Sequence, residues 1–267
     1  MLTDKDFNRI VNYMKSRYGI DLSQKRNLIS GRLENYLVRN GYANYDDYMT
    51  KVERNPDGEE AKTIINVLTT NHTYFMRESS HFDFVRNVVL PQLSVKEKTK
   101  KVLRVWSGAS STGEEPYTLA MLMMDYFGIE HKMWDTKILA TDISTRVLEH
   151  AKRGVYLKEA IAPLPPKWKQ RYFKQINEEE FRVKDALKNE VIFRQFNLMN
   201  PITFKGQFHF VFLRNVMIYF EDDTKYQLIQ RIYDKMEPGG YLFIGTTESL
   251  DKRRTPFQYV EPSVYRK

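Results

Sequence analysis

The sequence predicts an α/β protein in which a doubly wound, mostly parallel sheet follows an all-α N-terminal domain and carries a small antiparallel β insertion. Short apolar runs alternate with helical segments after residue 101, which is typical of a parallel sheet covered on both faces. Before residue 78, apolar residues recur at helical spacing. A proline-rich stretch and two strand-like runs interrupt the alternation at about 157–194.

Residues 1–78 are predicted to form a helical domain. Apolar residues at i, i+3, i+4 and i+7 between Phe7 and Met14 indicate its first helix. A hydroxyl residue in front and a glycine behind predict a second helix from Ser23 to Gly41. Two shorter helices are expected at about 45–52 and 59–68.

One face of the second helix is basic. Lys25, Arg32 and Arg39 are spaced by seven residues, so they lie on one side of a helix, beside its apolar face. Such a stripe suits an acidic partner surface, although a solvated helix face shows the same pattern.

Residues 79–100 are predicted to link the two domains. A helix at about 81–89 is expected to end at Pro91, and the charged run at 96–101 is typical of a solvated connector. Residues 101–267 form the second domain. Its strands are expected at Leu103–Ser107, Ile138–Thr141, Phe208–Leu213 and Tyr241–Gly245.

The interruption at about 157–194 is predicted to be a small, hairpin-bearing insertion. Three prolines precede a short aromatic helix, and strand-like runs follow at 180–184 and 190–193. Insertions at the rim of such a sheet often contact partners, and a purely structural flap fits the pattern equally well.

Composition restricts the classes of function. The chain has no cysteine, which excludes disulfides, thiolate metal sites and cysteine nucleophiles. Its five histidines lack metal-ligand spacing, so we expect no metal site. A formal charge of +8 suits nucleic acid, an anionic membrane face or a glutamate-rich protein surface. No apolar run resembles a signal core or is long enough to cross a bilayer, so we expect a cytoplasmic protein without membrane insertion.

The junction RVWSGASSTGEEPYTLA, Arg104–Ala120, points to a cofactor site. Small residues after a strand let a ligand approach the backbone. Phosphate-binding loops leave the positive end of a helix free for an anion, whereas Glu114 and Glu115 would repel one here. The cationic S-adenosylmethionine, which has a ribose and an amino group, suits them. Acidic residues that only complement the helix dipole would give the same pattern.

The second predicted strand ends at Asp142. An acidic residue roughly 30 residues beyond the first loop is the expected acceptor for ribose hydroxyls, and a helix N-cap is the structural alternative. Since Glu115 and Asp142 follow successive strands, their pairing favours an S-adenosylmethionine site.

Four motifs resemble the CheR family of chemotaxis receptor methyltransferases. They occur in the expected order as TTNHTYFMRE (Thr69–Glu78), WSGASSTGEEPY (Trp106–Tyr117), ATDIS (Ala140–Ser144) and LRNVMIYF (Leu213–Phe220). Members of that family are S-adenosylmethionine-dependent protein-glutamate O-methyltransferases. The resemblance therefore implies a class I methyltransferase fold and the formation of glutamate methyl esters on receptors, for sensory adaptation.

The resemblance also implies roles for individual residues. It implies cofactor binding by Asn71, Thr73, Arg77, Gly108, Glu115, Asp142, Asn197, Leu198, Arg214 and Asn215. Within this set, Glu115 would hold the methionyl ammonium, Asp142 the ribose, and Asn197 with Leu198 the adenine. Arg77 and Tyr219 are implied to be catalytic. Arg77 would face the cofactor's carboxylate end or the reacting centre, and Tyr219 would lie near the transferred methyl or the substrate carboxylate.

The expected partner is the cytoplasmic helical region of methyl-accepting chemotaxis receptors. By resemblance, it would be contacted by Lys25, Arg26, Arg32 and Arg39. Family members that tether to the receptor's C-terminal peptide have a glycine-containing hairpin loop, whereas KQINEEEFRV, Lys174–Val183, has no glycine and is shorter. We therefore expect direct recognition without the tether peptide, by a monomer.

The predicted reaction needs little catalytic machinery. A glutamate is already ionised near neutral pH, so the enzyme mainly has to orient the reactants and exclude water. A nucleic-acid methyltransferase is one alternative, but the Asn/Asp-Pro-Pro-Tyr segment of amino-directed enzymes is replaced by Arg214-Asn215-Val216-Met217. We therefore expect no nucleic-acid partner. A non-catalytic S-adenosylmethionine-binding module is the other alternative.

Overall fold

Four helices form the N-terminal part of the computed structural model, which describes all residues from Met1 to Lys267. They are α1 (Asp4–Tyr18), α2 (Arg26–Arg39), α3 (Tyr45–Arg54) and α4 (Glu59–Leu68). Their apolar faces enclose a separate core of 17 buried residues, all of which precede residue 69. The helical N-terminal domain expected from the apolar periodicity is therefore present with its own core.

Local hydrogen bonds explain where the first two helices begin. Thr3 and Asp6 form a reciprocal capping box at the start of α1. The predicted start of α2 at Ser23 is wrong by three residues, because the Ser23 N–H donates to the Asp21 carboxylate instead, at 2.9 Å. This bond makes a turn before the helix, and α2 begins at Arg26.

The predicted linker is largely a helix. It comprises α5 (Ser80–Phe84), a π-helical segment (Val85–Val89) and α6 (Leu90–Lys96), without a break. The prediction that the helix ends at Pro91 is wrong. Proline has no N–H and its ring crowds the preceding turn, but the preceding turn here is π-helical and wide enough to accommodate it. Phe82 and Val85 are fully buried in the core against the sheet, and in the turn after Lys96 only residues 98–100 are exposed.

Ten strands follow in the second half of the chain. They are β1 (Val105–Gly108), β2 (Ile138–Asp142), β3 (Val155–Leu157), β4 (Phe173–Gln175), β5 (Glu180–Val183), β6 (Val191–Gln195), β7 (Phe208–Leu213), β8 (Met236–Ile244), β9 (Gln258–Glu261) and β10 (Val264–Arg266). The helices between them are α7 (Glu114–Phe127), α8 (Thr145–Arg153), α9 (Pro166–Tyr172), α10 (Asp185–Lys188) and α11 (Asp222–Asp234). Short 3₁₀ turns lie at Gly128–Met133 and Met217–Tyr219.

The main sheet has the order β6-β2-β1-β7-β8-β10-β9. Its first five strands are parallel, and β10 is antiparallel to both neighbours. Along β7, Phe210 and Phe212 belong to one buried cluster, whereas Val211 and Leu213 belong to another. Because strand side chains alternate, these clusters cover opposite faces, and the doubly wound sheet is confirmed. The C-terminal hairpin of β9 and β10 was not predicted.

The insertion is smaller than predicted. Its antiparallel sheet has the order β3-β5-β4, which confirms an insertion of this type. The second strand-like run, at 190–193, belongs instead to β6 of the main sheet, where Val191 pairs with Ile138 in parallel. The loop between β4 and β5 is a tight turn, in which the Asn177 carboxamide accepts the N–H groups of Glu179 and Glu180 at 3.0 and 2.8 Å.

The helical domain lies against the carboxyl edge of the main sheet. The Asp21 N–H donates to the Tyr219 carbonyl at 2.9 Å, and the Ser144 hydroxyl donates to Asn66 Oδ1 at 2.7 Å. These contacts leave a cleft between the domains. None of the helices combines the length and the apolar composition required to span a bilayer.

Candidate active site

A cleft of about 340 Å³ lies between the helical domain and the carboxyl ends of the parallel strands. Ligands of open α/β sheets bind at this edge. The structure brings eleven of the fifteen predicted site residues to the cleft wall, namely Lys25, Asn71, Thr73, Arg77, Glu115, Asp142, Asn197, Leu198, Arg214, Asn215 and Tyr219. Their individual roles stay predictions.

Backbone strain is concentrated around this cleft. Seven non-glycine residues have positive φ; three of them, Ala109, Ser111 and Asn215, line the cleft, and Met76 and Glu78 flank the cleft residue Arg77. L-residues adopt this conformation at a cost, so it persists where surrounding contacts impose it, often at functional sites. The strained residues lie in the turns that carry the predicted site residues.

Asp142 is a buried acceptor at the end of β2. Its two carboxylate oxygens accept the N–H groups of Ser111 and Ser144, each at 2.9 Å. Burial raises the pKa of Asp142, and these backbone donors act against that rise. A carboxylate has about four acceptor positions, so capacity remains for ribose hydroxyls. Nearby, the buried Ser110 hydroxyl has no hydrogen-bond partner and also lines the cleft.

Glu115 faces the cleft but already has protein partners. Its carboxylate accepts the Ser107 hydroxyl at 2.7 Å and the Arg214 guanidinium at 3.1 Å. Burial raises the pKa of Glu115, opposed by Arg214 and Ser107. A ligand ammonium would therefore share this carboxylate with Arg214. Glu114 does not line the cleft and accepts the Thr112 hydroxyl at 2.7 Å, so only one of the two glutamates can serve a ligand.

Arg214 connects two buried carboxylates. Its side chain is 2% exposed, pairs with Glu78 and Glu115 at 3.1 Å each, and donates to the Arg77 carbonyl. Phe82 and Phe212 lie 5.6 and 5.7 Å from its guanidinium carbon, within cation–π range. These contacts hold the segment that carries Arg77 against the end of β7.

Glu78 is a site residue that the sequence interpretation missed. It accepts hydrogen bonds from Arg214, the Asn215 carboxamide and both donors of Thr246. Burial alone would raise the pKa of Glu78, but Arg214 and the hydrogen bonds hold it below its usual value. The signal was its position directly after Arg77, inside the first motif. Its partners are 136 or more residues away, so the sequence did not reveal its role.

The two candidate catalytic residues both contribute to the cleft wall. The Arg77 guanidinium donates to the His72 carbonyl at 2.8 Å and is half-buried. Tyr219 ends the 3₁₀ turn after β7, where its main-chain carbonyl contacts the helical domain and its side chain is half-buried. The arrangement therefore places one cation and one aromatic ring beside the carboxylates at the strand ends.

Gly108 and Asn197, two of the predicted cofactor residues, make contacts within the protein. Gly108 does not line the cleft, and a Cβ there would make a tight contact of 3.0 Å with the Leu213 side chain. The Asn197 carboxamide donates to the Arg17 carbonyl at 2.9 Å and accepts the Met199 N–H at 3.0 Å. Because this side chain is used to join the domains, the expected adenine contact is left to the Asn197 main chain and to Leu198.

The basic stripe of α2 is only partly free. Arg26 pairs with Asp4 at 2.8 Å, and Arg32 donates to the Val67 and Thr69 carbonyls at 3.2 and 3.0 Å, at the end of α4. Arg26, Arg32 and Arg39 all lie outside the cleft lining. Lys25 and Arg39 are exposed and form no ion pair, so they are the members available to a partner.

Comparison with known proteins identifies the family of this chain. The chain matches the family model described as CheR methyltransferase, SAM binding domain, over residues 71–266, and that described as CheR methyltransferase, all-alpha domain, over residues 5–69. It is 36% identical to the chemotaxis protein methyltransferase of Borreliella burgdorferi, with 100% of this chain and 95% of that protein covered. It is also 36% identical to the Escherichia coli chemotaxis protein methyltransferase, with 99% and 91% covered.

These matches confirm the fold class and the cofactor. The helical domain and the sheet domain correspond to the two family models, and the second of these is an S-adenosylmethionine-binding domain. The acceptor groups of the cleft fit that cofactor, since the buried Asp142 carboxylate suits ribose hydroxyls and the Glu115 carboxylate suits an ammonium group. The chain belongs to the CheR methyltransferase family.

Proposed function

We propose that this protein transfers the methyl group of S-adenosylmethionine to glutamate side chains of chemotaxis receptors, producing γ-methyl esters. The observation that supports this most directly is the charge distribution of the cleft. Asp142 ends β2 and Glu115 follows the turn after β1, so both carboxylates lie at strand ends of the sheet, and Lys25 and Arg77 contribute positive charge to the wall of the same cleft. An incoming carboxylate would therefore meet positive charge next to the bound donor. The proposal places a monomeric enzyme in the cytoplasm.

The residues of the cleft can perform this reaction by positioning alone. S-adenosylmethionine supplies a methyl group on a positively charged sulfur. Asp142 would accept its ribose hydroxyls, and Glu115 would hold its ammonium. Arg77 would orient a carboxylate, since its planar fork suits two oxygens. Glutamate is ionised near neutral pH, so no side chain has to remove a proton, and the cleft has only to align the reactants and exclude water.

Transfer of a radiolabelled methyl group to a receptor cytoplasmic fragment tests this proposal. We expect label that is released by mild base, as an ester should be, and no label on a fragment whose methylatable glutamates are changed to alanine. A fragment without its C-terminal residues should be labelled equally well, because we propose recognition without a tether peptide. Base-stable label, or efficient transfer to nucleic acid instead of the fragment, would contradict the proposed reaction.

Receptor recognition is proposed to depend on the exposed cations of the helical domain. The double variant Lys25→Glu/Arg39→Glu should raise the KM for the receptor fragment about tenfold at low salt, because it replaces attraction to an acidic surface with repulsion. The effect should shrink at high salt. Neither residue forms an ion pair within the fold, and Arg39 lies outside the cleft, so Arg39→Glu alone should leave kcat and S-adenosylmethionine affinity unchanged. Steady-state kinetics with the fragment measure this.

Lys98→Glu is the matched control for that double variant. Lys98 is exposed, forms no ion pair and lies in the turn after α6, so its reversal should leave the KM unchanged. An equal rise of the KM in this control would assign the effect to net charge rather than to the stripe. An unchanged KM in the double variant would refute the proposed docking face.

A further inference from the structure

Glu248 gathers four backbone donors although it lies outside the cleft. It follows β8 in the sequence GTTESL and is half-buried. One carboxylate oxygen accepts the N–H groups of Asn215 and Gly245 at 2.9 and 2.6 Å. The other accepts those of Met217 and Ile218 at 2.8 and 3.2 Å. Both oxygens therefore accept two hydrogen bonds, and the carboxylate has no remaining capacity.

The turn held by these bonds is irregular and needs an acceptor. Asn215 has φ 56°, in the left-handed region, and the chain then enters the 3₁₀ turn Met217–Tyr219. Glu248 accepts three N–H groups of this turn. Without Glu248, these groups would have no charged acceptor. Bonds to a charged acceptor are about twice as strong as neutral ones, so Glu248 is the dominant local restraint on the turn.

Gly245 makes this close arrangement possible. A Cβ at that position would collide with the Asn215 carboxamide and would lie 2.9 Å from both the Asn215 nitrogen and the Glu248 carboxylate. Contacts under 3.0 Å are not tolerated, and here they involve backbone and a restrained side chain. The end of β8 and the turn after β7 are thus built to bring the carboxylate onto the turn.

The restrained turn carries two residues of the cleft wall. Asn215 and Tyr219 both line the cleft, and the Tyr219 carbonyl accepts the Asp21 N–H of the helical domain. The turn also begins directly after Arg214, which pairs with Glu115. A shift of the turn would therefore move the Tyr219 ring and a domain contact together.

We propose that Glu248 is a positioning residue for methyl transfer: by holding the turn 215–218, it sets the placement of Asn215 and Tyr219 beside the reactants. This inference rests on the proposed function, because it assumes that Tyr219 lies next to the reacting groups. Glu248 itself touches neither reactant.

The test compares Glu248→Gln and Glu248→Ala with the wild type. Glutamine keeps one acceptor oxygen and presents its NH₂ group to the remaining N–H donors, so it can hold only half of the turn. We expect kcat to fall about 10- to 100-fold in Glu248→Gln, because misplacement near 1 Å has effects of this size, and further in Glu248→Ala. The Kd for S-adenosylmethionine should change by a smaller factor than kcat, because Asn215 is only one of the residues expected to bind the cofactor.

Glu190→Gln is the matched control. Glu190 is also half-buried, accepts the Thr136 hydroxyl at 3.1 Å and lies at the opposite edge of the sheet, just before β6. Loss of the Glu190 charge in this variant should change the stability of the fold without changing kcat. Hydrogen exchange supplies a readout that does not depend on activity: the amides of Asn215, Met217 and Ile218 should exchange at least about tenfold faster in Glu248→Gln.

The outcomes separate the two proposals. If the wild type does not methylate the receptor fragment, the proposed function fails, and amide exchange still decides whether Glu248 holds the turn. Full activity in a folded Glu248→Gln variant would overturn the positioning role. Unchanged exchange of the three amides, or an equal loss of kcat in Glu190→Gln, would overturn it as well. If Glu248→Ala does not fold, Glu248→Gln alone provides these readouts.

Discussion

Arg214→Met should lower the free energy of unfolding by about 3–5 kcal/mol at neutral pH, because it leaves buried carboxylates without their cation. Arg214 is 2% exposed and pairs with Glu78 and Glu115, whose side chains are 12% and 13% exposed. Methionine fills similar apolar space between Phe82 and Phe212, so the loss should reflect charge rather than packing. Denaturant unfolding of both proteins measures it.

The pH dependence of this loss distinguishes its cause. In the wild type, the depressed pKa of Glu78 contributes stability above its ordinary value, and that contribution is lost as the pH falls through the folded-state pKa. Without Arg214, the folded-state pKa values of Glu78 and Glu115 should both exceed the unfolded value of about 4.3. The destabilisation is then complete above those raised values and fades as the pH falls towards the unfolded value.

The difference in the free energy of unfolding between wild type and Arg214→Met should therefore decrease as the pH is lowered from 7.5 to about 5. Arg214→Lys serves as the control, since it keeps the charge but loses the planar fork that reaches both carboxylates. It should lose less stability than methionine and show a weaker pH dependence. If Arg214→Met lowered the free energy of unfolding by less than about 1 kcal/mol, or by an amount independent of pH, Arg214 and its two glutamates would not behave as buried ion pairs.

Asp142→Ala should weaken S-adenosylmethionine binding by about 1–3 kcal/mol, or roughly 5- to 150-fold, because alanine cannot accept hydrogen bonds from a buried ribose. Only about 5% of Asp142 is exposed, and its carboxylate also accepts two backbone N–H groups. The variant should therefore lose stability as well as affinity. Calorimetry well below the unfolding temperature separates the two effects.

Ser144→Ala is the matched control for Asp142→Ala. The Ser144 hydroxyl donates to Asn66 and accepts the Val147 N–H at the start of α8, but Ser144 is not part of the cleft lining. This variant should lose stability without losing affinity for S-adenosylmethionine. Native affinity in Asp142→Ala would count against the ribose assignment, and an equal loss in Ser144→Ala would make the effect indirect.

Patterns of neighbouring residues predicted the secondary-structure elements that depend on short-range interactions along the chain. The runs at Ile138–Thr141 and Phe208–Leu213 are mostly apolar, as expected of a parallel strand that is buried on both faces, and each is a strand in the structure. The position of Asp142 at the end of β2 followed from the same pattern. The boundary errors at Ser23 and Pro91 arose where a side-chain bond or a π-helical turn overrode the local rule.

Pairing over long distances could not be inferred in the same way. The apolar run at 190–193 has the composition of a strand in either sheet, and only its register with β2 assigned it to the main one. Likewise, Glu114 and Glu115 are equivalent in sequence, but one helical step turns the first towards Thr112 and the second towards Arg214.

By itself, the sequence determined the class of the fold, the order of its motifs and the type of cofactor, because periodicity and the residues that follow strands indicated an α/β sheet with a cofactor site, and the resemblance of four motifs to one family implied the rest. Only the tertiary structure decided how the charges are partnered. Arg32 became an anchor for α4, Arg214 joined two carboxylates, and Glu248 held a distant turn. Such pairings require groups far apart in the chain to meet, and for the buried Arg214 an unpaired charge would be costly.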